Sequence, residues 1–338
     1  MQRLVSIITP TYNHKGFIGP SIASVLGQTY PDWEMIIVDD GSTDGTADIA
    51  RRFAKKDERI KVFPRENVGI FRLAETYNFG LAQSSGELVA VLEGDDVWEP
   101  NKLELQVKAL ESNPDTVLSW GNVVIASANL DPIGLSLSDD VDRDRSAFDN
   151  RPVGVLLNQM YLENIISAVT MVIRRNELEA IGGFQYRDRL PLVDYPTILS
   201  LVVRGPFAYV GETLAHWRWH PNQVTKSYHP QIIERVRDLA LEHFDGLDDL
   251  LRREVRLTRA EKEAGYRHAV QNSYVQSGRY KLAQKRFGEA RSDYFRALFF
   301  PGLTGPTNRL VALAGIASSL GGMDLEWLAR LLGKKPIA

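Results

Sequence analysis

No cysteine occurs anywhere in the 338 residues. This excludes disulfides, thiolate nucleophiles and zinc sites built on sulfur, and it accords with a reducing cytoplasm. Long apolar runs are also missing. The least polar stretch, Leu310 to Leu320, falls well short of the ~18 to 20 residues that cross a bilayer. The opening Met1–Pro10 segment holds too short an apolar core for a signal peptide. Nor is there a basic excess, since 40 Lys and Arg face 43 Asp and Glu; nucleic acid is therefore not an expected partner. What remains, 44% hydrophobic and 25% charged residues, is a globular composition. The length exceeds the usual ~100 to 200 residues of one domain, so more than one unit is expected.

In the first hundred residues, short β-branched runs alternate with helical stretches, the pattern of a parallel sheet covered by helices. Strands are expected at Leu4–Ile8, Glu34–Val38 and Leu88–Leu92, each running into a polar cluster. Thr43 or Asp44 suits the cap of a helix reaching about Lys56, and Pro100 suits the first turn of another ending near Asn113-Pro114. From Leu130 to Pro152 the sequence is charged and aperiodic, which reads as a solvated loop. Its Asp140, Asp142, Asp144 spacing fails as a calcium loop, because Arg145 and Arg151 hold the required glycine and glutamate positions. Beyond Ser227 the chain becomes helix-rich. Tyr266, Tyr274, Tyr280, Phe287, Tyr294 and Phe295 at helical spacings are expected to pack as core. The last segment, Met323 to Lys335, is amphipathic, with Trp327, Leu328, Leu331 and Leu332 on one side; it suits packing on the domain or lying on a membrane surface.

Ligands of open α/β sheets bind beyond the carboxyl ends of the strands, so the polar clusters there are the place to look for chemistry. After the second strand comes Asp39-Asp40-Gly41-Ser42-Thr43-Asp44-Gly45-Thr46. A carboxylate there can accept from a base N–H or a ribose hydroxyl, although Asp-Gly-Ser is also an ordinary turn. After the third comes Glu93-Gly94-Asp95-Asp96, where adjacent like charges repel unless a cation joins them. Oxygen ligands without His or Cys suit Mg²⁺ or Mn²⁺; the plainer reading is an exposed turn and helix cap. In His216-Trp217-Arg218-Trp219-His220 alternation on a strand puts His216, Arg218 and His220 on one face and the tryptophans on the other.

Taken in order, the Val5–Asn13 opening, the Asp-Asp-Gly-Ser turn, Asn67-Val68-Gly69, the acidic cluster and Gly182-Gly183-Phe184 resemble the inverting glycosyltransferases of family 2. The resemblance covers roughly residues 3 to 225 and implies an α/β fold of GT-A type. That means a mostly parallel central sheet flanked by helices, followed here by a helical C-terminal extension. The implied organisation is a nucleotide-sugar-binding half (1–100), an acceptor-binding half (101–226) and the extension (227–338).

By match to the family, Pro10, Thr11, Tyr12, Asp40 and Arg72 hold the nucleoside, and the metal motif falls on Glu93-Gly94-Asp95. Glutamate thus replaces the family's first aspartate. Asp95 keeps the main metal role, and Asp96 is a further ligand or a ribose contact. The family places its base shortly after Gly-Gly-Phe, usually in a Glu-Asp pair; Val193 stands at the glutamate and Asp194 at the aspartate. Asp194 is then the base, unless it is a helix cap ahead of Pro196. Arg218 and His220 are candidates to steady the leaving group. The expected activity is metal-dependent, inverting transfer from a nucleotide sugar, UDP favoured, to a hydroxyl of a glycan, lipid-linked or protein acceptor in bacterial surface polysaccharide or glycoconjugate assembly. The expected place is the cytoplasm or the inner face of its membrane. Rival readings are a catalytically idle nucleotide-sugar-binding scaffold of the same fold and a nucleotidyltransferase, the latter lacking the glycine-rich basic phosphate loop.

Overall fold

The computed structural model describes residues 3–135, 145–220, 223–227, 229–301 and 306–322. The strands, in chain order, are β1 (Val5–Thr11), β2 (Trp33–Asp39), β3 (Ile60–Pro64), β4 (Leu88–Val91), β5 (Val97–Trp98), β6 (Leu118–Ser127), β7 (Pro132–Leu135), β8 (Val172–Arg174) and β9 (Phe207–Trp219). The helices begin with α1 (Ile18–Leu26), α2 (Thr46–Ala54), α3 (Leu73–Ala82), α4 (Lys102–Ser112), α5 (Arg145–Phe148), α6 (Leu157–Met160), α7 (Arg175–Ala180) and α8 (Asp194–Val202). They continue with α9 (Val224–Ser227), α10 (His229–Asp245), α11 (Asp249–Glu254), α12 (Arg259–Ala283), α13 (Phe287–Leu298) and α14 (Pro306–Leu320).

Two units emerge. The first comprises Met1–Trp219 and Leu247–Arg256, the second His220–Gly246 and Leu257–Ala338.

In the first unit all the strands form one sheet in the order β3-β2-β1-β4-β8-β6-β9-β5, with β7 added on β6. β1 pairs in parallel with β2 and β4, and β2 with β3. This is the expected βα alternation. β1 and β2 are buried along their full lengths, as strands covered on both faces must be. On one side Val5, Ile7, Met35, Ile37, Leu88 and Ala90 pack with Ile18, Ile22 and Val25 of α1 and Leu103 and Val107 of α4. The sheet then changes direction: β8 is antiparallel to β4 and β6, and β9 runs parallel to β6.

The stretch expected as a solvated loop, Leu130 to Pro152, instead supplies β7 and α5 where it is described; Asp140, Asp142 and Asp144 lie outside the described residues. Asn150 explains why a polar stretch packs. Fully buried, its Nδ2 donates to Val202 O (2.7 Å) and Gly205 O (2.8 Å), and its Oδ1 accepts from Gly154 N and Leu156 N. Every polar atom of the side chain is satisfied, so burial costs little.

The second unit is helical. Val270, Tyr274, Val275 and Leu282 of α12 pack with Ala290, Tyr294 and Ala297 of α13 and Ala312 of α14. Tyr266, Tyr274 and Tyr294 are core, as the aromatic spacing suggested, but Phe295 faces outward at 44% exposure. The amphipathic segment Met323 to Lys335 lies outside the described residues.

Candidate active site

The three parallel strands β2, β1 and β4 deliver their polar ends side by side. Asp40 N donates to Thr11 O (2.9 Å) and Gly94 N donates to Pro10 O (3.1 Å), so the β1 terminus is hydrogen-bonded to both neighbouring turns. Gly94 has to be glycine: a Cβ there would lie 2.5 Å from Thr11 Oγ1 and 2.8 Å from its Cβ, inside van der Waals contact. Pro10 and Thr11 are buried, whereas the Tyr12 ring stands 47% exposed at the rim.

The two aspartates of the second turn divide the work. Asp39 bends back and accepts from Ser42 N and Oγ, closing the turn. Asp40 is held from the other side, with Val68 N donating to Oδ1 (3.1 Å) and Asn67 Nδ2 to Oδ2 (3.2 Å). Burial raises its carboxyl above the usual range, against the lowering effect of the Val68 and Gly69 amides. Asn67-Val68-Gly69 is therefore the clamp on Asp40. Arg72, just beyond it, is exposed and ion-paired with Glu75 (Nε–Oε1 2.5 Å, Nη2–Oε2 2.7 Å).

The acidic cluster does not form a simple three-carboxylate cage; among the described residues no group of three or more His, Cys, Asp or Glu is arranged to hold a metal ion. Each member has its own setting. Glu93 Oε1 accepts from Tyr77 Oη of α3 (2.7 Å). Burial, reinforced by Asp95 and Asp194, pushes its carboxyl up to about 8. Asp96 is buried, its Oδ1 accepting from Arg218 N (2.8 Å) and its Oδ2 buried with no hydrogen-bond donor. Burial first, then Asp95 and Glu93, pushes it well above the carboxylate range. Asp95 is partly exposed, with His14 Nε2 3.8 Å from its Oδ2.

Asp194 opens α8, and its Oδ2 accepts from Asn164 Nδ2 (2.9 Å). Burial raises its pKa, while the Tyr195 amide and Asn164 oppose the rise. It acts electrostatically on both Glu93 and Tyr77, so the carboxyl assigned as base shares the cleft with the acidic turn. Arg218, near the end of β9, is buried and donates through Nη1 to Asp95 O (2.6 Å). It thereby brings a cation to the acidic turn. The Arg218 guanidinium also lies over the Phe17 ring, 5.2 Å from its centre. His216, two residues earlier on the strand, bonds Glu99 instead (2.7 Å), and Trp217 packs on the core of the sheet. His220 is buried in the second unit, where its backbone N–H donates to Gln223 Oε1 (3.4 Å).

Pro10, Thr11, Asp40, Glu93, Asp95, Asp96, Asp194 and Arg218 thus belong to one connected set of contacts, and Arg72, while paired with Glu75, lies within electrostatic reach of Asp40. Tyr77, Asn164 and His14 were missed by sequence reasoning. His14 directly follows the Pro10–Asn13 cluster and could have been included; nothing local marks Tyr77 or Asn164.

The donor set suits a hard divalent cation. All the donors are carboxylate oxygens, and one of them, Asp96 Oδ2, is buried without a partner. Burial is the larger cause of the rise at Glu93 and Asp96, and the carboxylate repulsion that adds to it is what a cation would relieve. A protein that offers one or two carboxylates and leaves the remaining positions to phosphate and water is the usual magnesium arrangement.

A family model described as glycosyl transferase family 2 matches residues 6–169. The chain is 35% identical over 226 residues to TuaG of Bacillus subtilis, a protein named as a glycosyltransferase of teichuronic acid biosynthesis, with 66% of this chain and 82% of that one covered. It is 40% identical over 126 residues to WfgD of Escherichia coli, named UDP-Glc:alpha-D-GlcNAc-diphosphoundecaprenol beta-1,3-glucosyltransferase, over 37% of this chain and 48% of that one. Among solved structures, Staphylococcus aureus TarS 1-349 in complex with UDP-GlcNAc gives a TM-score of 0.57 at 17% identity, covering 98% of this chain and 92% of that one. The mannosyltransferase PcManGT of Pyrobaculum calidifontis, in complex with GDP-Man and Mn²⁺, gives 0.55 at 17% identity over 95% and 88%. At such identities these two likenesses show a common GT-A fold.

Proposed function

This chain belongs to glycosyl transferase family 2, and on that premise we propose that it moves a sugar from a nucleoside-diphosphate sugar to a hydroxyl with inversion, assisted by Mn²⁺ or Mg²⁺. The observation that carries the reading is the gathering of Glu93, Asp95, Asp96, Asp194 and Arg218 around the ends of β1 and β4. Pro10, Thr11, Tyr12 and Asp40 line the nucleoside position, with Arg72 at its edge. UDP is favoured by the UDP-GlcNAc carried by the TarS neighbour. Asp95 is the principal candidate to hold the cation, with Asp96 and Glu93 beside it. When bound, the cation offsets charge on the diphosphate as it departs.

The chain's own groups do the rest. Asp194 takes the proton of the acceptor hydroxyl as its oxygen attacks the anomeric carbon, and Asn164 holds the receiving carboxylate in place. Its raised pKa makes it a stronger base than an exposed aspartate. Arg218, fixed on Asp95 O, supplies a permanent positive charge near the leaving diphosphate. The resemblance alone supports a like role for His220. The naming of TuaG and of WfgD's diphosphoundecaprenol-linked acceptor supports a place in surface polysaccharide assembly with a lipid-linked sugar as acceptor.

The test is thermal unfolding of the purified protein against UDP-, GDP- and dTDP-sugars with and without Mn²⁺, followed by transfer with the donor that stabilises. One donor class is expected to raise the melting temperature, more so with Mn²⁺, since a ligand that binds only the native state stabilises it. Asp95→Asn should keep the fold and lose the manganese dependence of donor binding by calorimetry. Unchanged dependence would remove Asp95 from the metal role.

A further inference from the structure

Asp95 has a nitrogen neighbour. His14 lies on the turn between β1 and α1, and its Nε2 stands 3.8 Å from Asp95 Oδ2, beyond hydrogen-bond length. Both side chains are largely shielded from solvent, at 19% and 15% exposure, so neither has the freedom of a surface ion pair. The glycine inside the acidic turn lets them approach. A Cβ at Gly94 would lie 3.0 Å from His14 Nδ1, tighter than ordinary van der Waals contact, so the imidazole occupies the space that a side chain at this position would need.

The turn itself is fixed. His14 O accepts from Phe17 N and Ile18 N (both 2.8 Å) at the start of α1, and the His14 ring meets Phe17 edge-on, with centres 6.3 Å apart at 71°. Phe17 in turn lies under the Arg218 guanidinium, whose Nη1 donates to Asp95 O. His14, Phe17, Arg218 and Asp95 therefore close a ring of contacts drawn from three separate stretches of chain. A charge-assisted hydrogen bond between imidazole and carboxylate would be about 2.7 to 2.9 Å long; this pair is wider and suits a partner held between its two atoms. Both are metal-ligating atoms. Two adjacent ligands about 2.1 Å from one octahedral ion lie about 3 Å apart, so a shift of less than about 1 Å brings Nε2 and Oδ2 onto one cation.

We infer that His14 Nε2 is a ligand, beside Asp95, of the divalent cation proposed for this site, which makes it a mixed nitrogen–oxygen site. Two protein ligands leave the remaining positions to diphosphate and water, in keeping with the lack of a three-residue metal group among the described residues. The consequence is selectivity. Magnesium keeps to oxygen ligands, whereas affinity for a site containing nitrogen rises along the first-row ions from Mn²⁺ onward, so the site prefers Mn²⁺ to Mg²⁺. The inference rests on the metal role proposed above for Asp95, and the experiment separates the two.

Mn²⁺ and Mg²⁺ are titrated into the full chain by calorimetry, with UDP and with GDP, and the pulsed EPR spectrum of bound Mn²⁺ is recorded for a directly bound nitrogen. The parent is expected to show that nitrogen and to bind Mn²⁺ at least about tenfold more tightly than Mg²⁺. His14→Phe keeps a ring beside Phe17 and removes both nitrogens. It should lose the nitrogen signal and about tenfold or more in Mn²⁺ affinity, with Mg²⁺ affinity within about threefold of the parent. The parent spectrum needs no variant, so the inference is tested even if His14→Phe does not fold. Mn²⁺ bound without a nitrogen signal, a signal that His14→Phe retains, or an equal loss for both metals would overturn the ligand role of His14 and leave that of Asp95 standing. No Mn²⁺ binding with either nucleotide would overturn both.

Discussion

Proton affinity in the cleft is set residue by residue. Glu93 and Asp96 are raised by burial and by Asp95, so in the absence of a cation they tend to hold protons. Asp194 is raised by burial too, but it is also an acceptor for Asn164 Nδ2 and the Tyr195 amide, which favour its ionised form. The base proposed, Asp194, must be ionised to act, and in that proposal Asn164 is a positioning residue. In Asn164→Ala the opposing hydrogen bond is lost, the Asp194 pKa rises further, and the acidic limb of the pH–rate profile moves to higher pH. On that acidic limb transfer should fall up to about tenfold, the scale of one hydrogen bond to a charged group. A profile whose acidic limb stays in place would show that Asn164 only packs.

At the scale of elements, α3 ties the acidic turn to the loop that leads to α8. Tyr77 holds Glu93, and the next residue, Asn78, clasps Phe184 through two bonds, Nδ2 to Phe184 O (2.8 Å) and Phe184 N to Oδ1 (2.8 Å). Gly183 permits this clasp, with φ of +88° and an added Cβ falling 2.4 Å from Asn78 Oδ1. Gly183→Ala should therefore strain the turn by ~1 to 3 kcal/mol and lower the melting temperature by about 2 to 10 °C. A melting curve identical to that of the parent would mean that the turn relaxes freely.

The same elements show what the sequence could disclose. β1, β2 and β4 were legible because strands buried on both faces must be runs of Val, Ile and Leu, and the polar residues that break those runs are the site. β6 and the part of β9 before His216 were not, because their residues mix core positions with half-buried and exposed ones, whereas the alternation from His216 onward was read as strand. Gly183 was visible only through the family motif. Tyr77 and Asn164 had no signal, since their partners Glu93 and Asp194 are brought to them by the fold.

At the scale of the whole molecule, the residues proposed for the chemistry gather at the strand ends of the α/β unit, and the helical unit packs a core of its own. The chemistry proposed for the cleft turns above all on Asp194 as the group that receives the acceptor's proton. Single-turnover transfer by Asp194→Asn at saturating nucleotide sugar, with donor affinity measured in parallel, tests that claim most directly. Asparagine keeps the shape and cannot take the proton, so transfer should fall by roughly two to four orders of magnitude while donor affinity stays near that of the parent. Transfer within about threefold of the parent, far inside the contribution of a positioned general base, would contradict it.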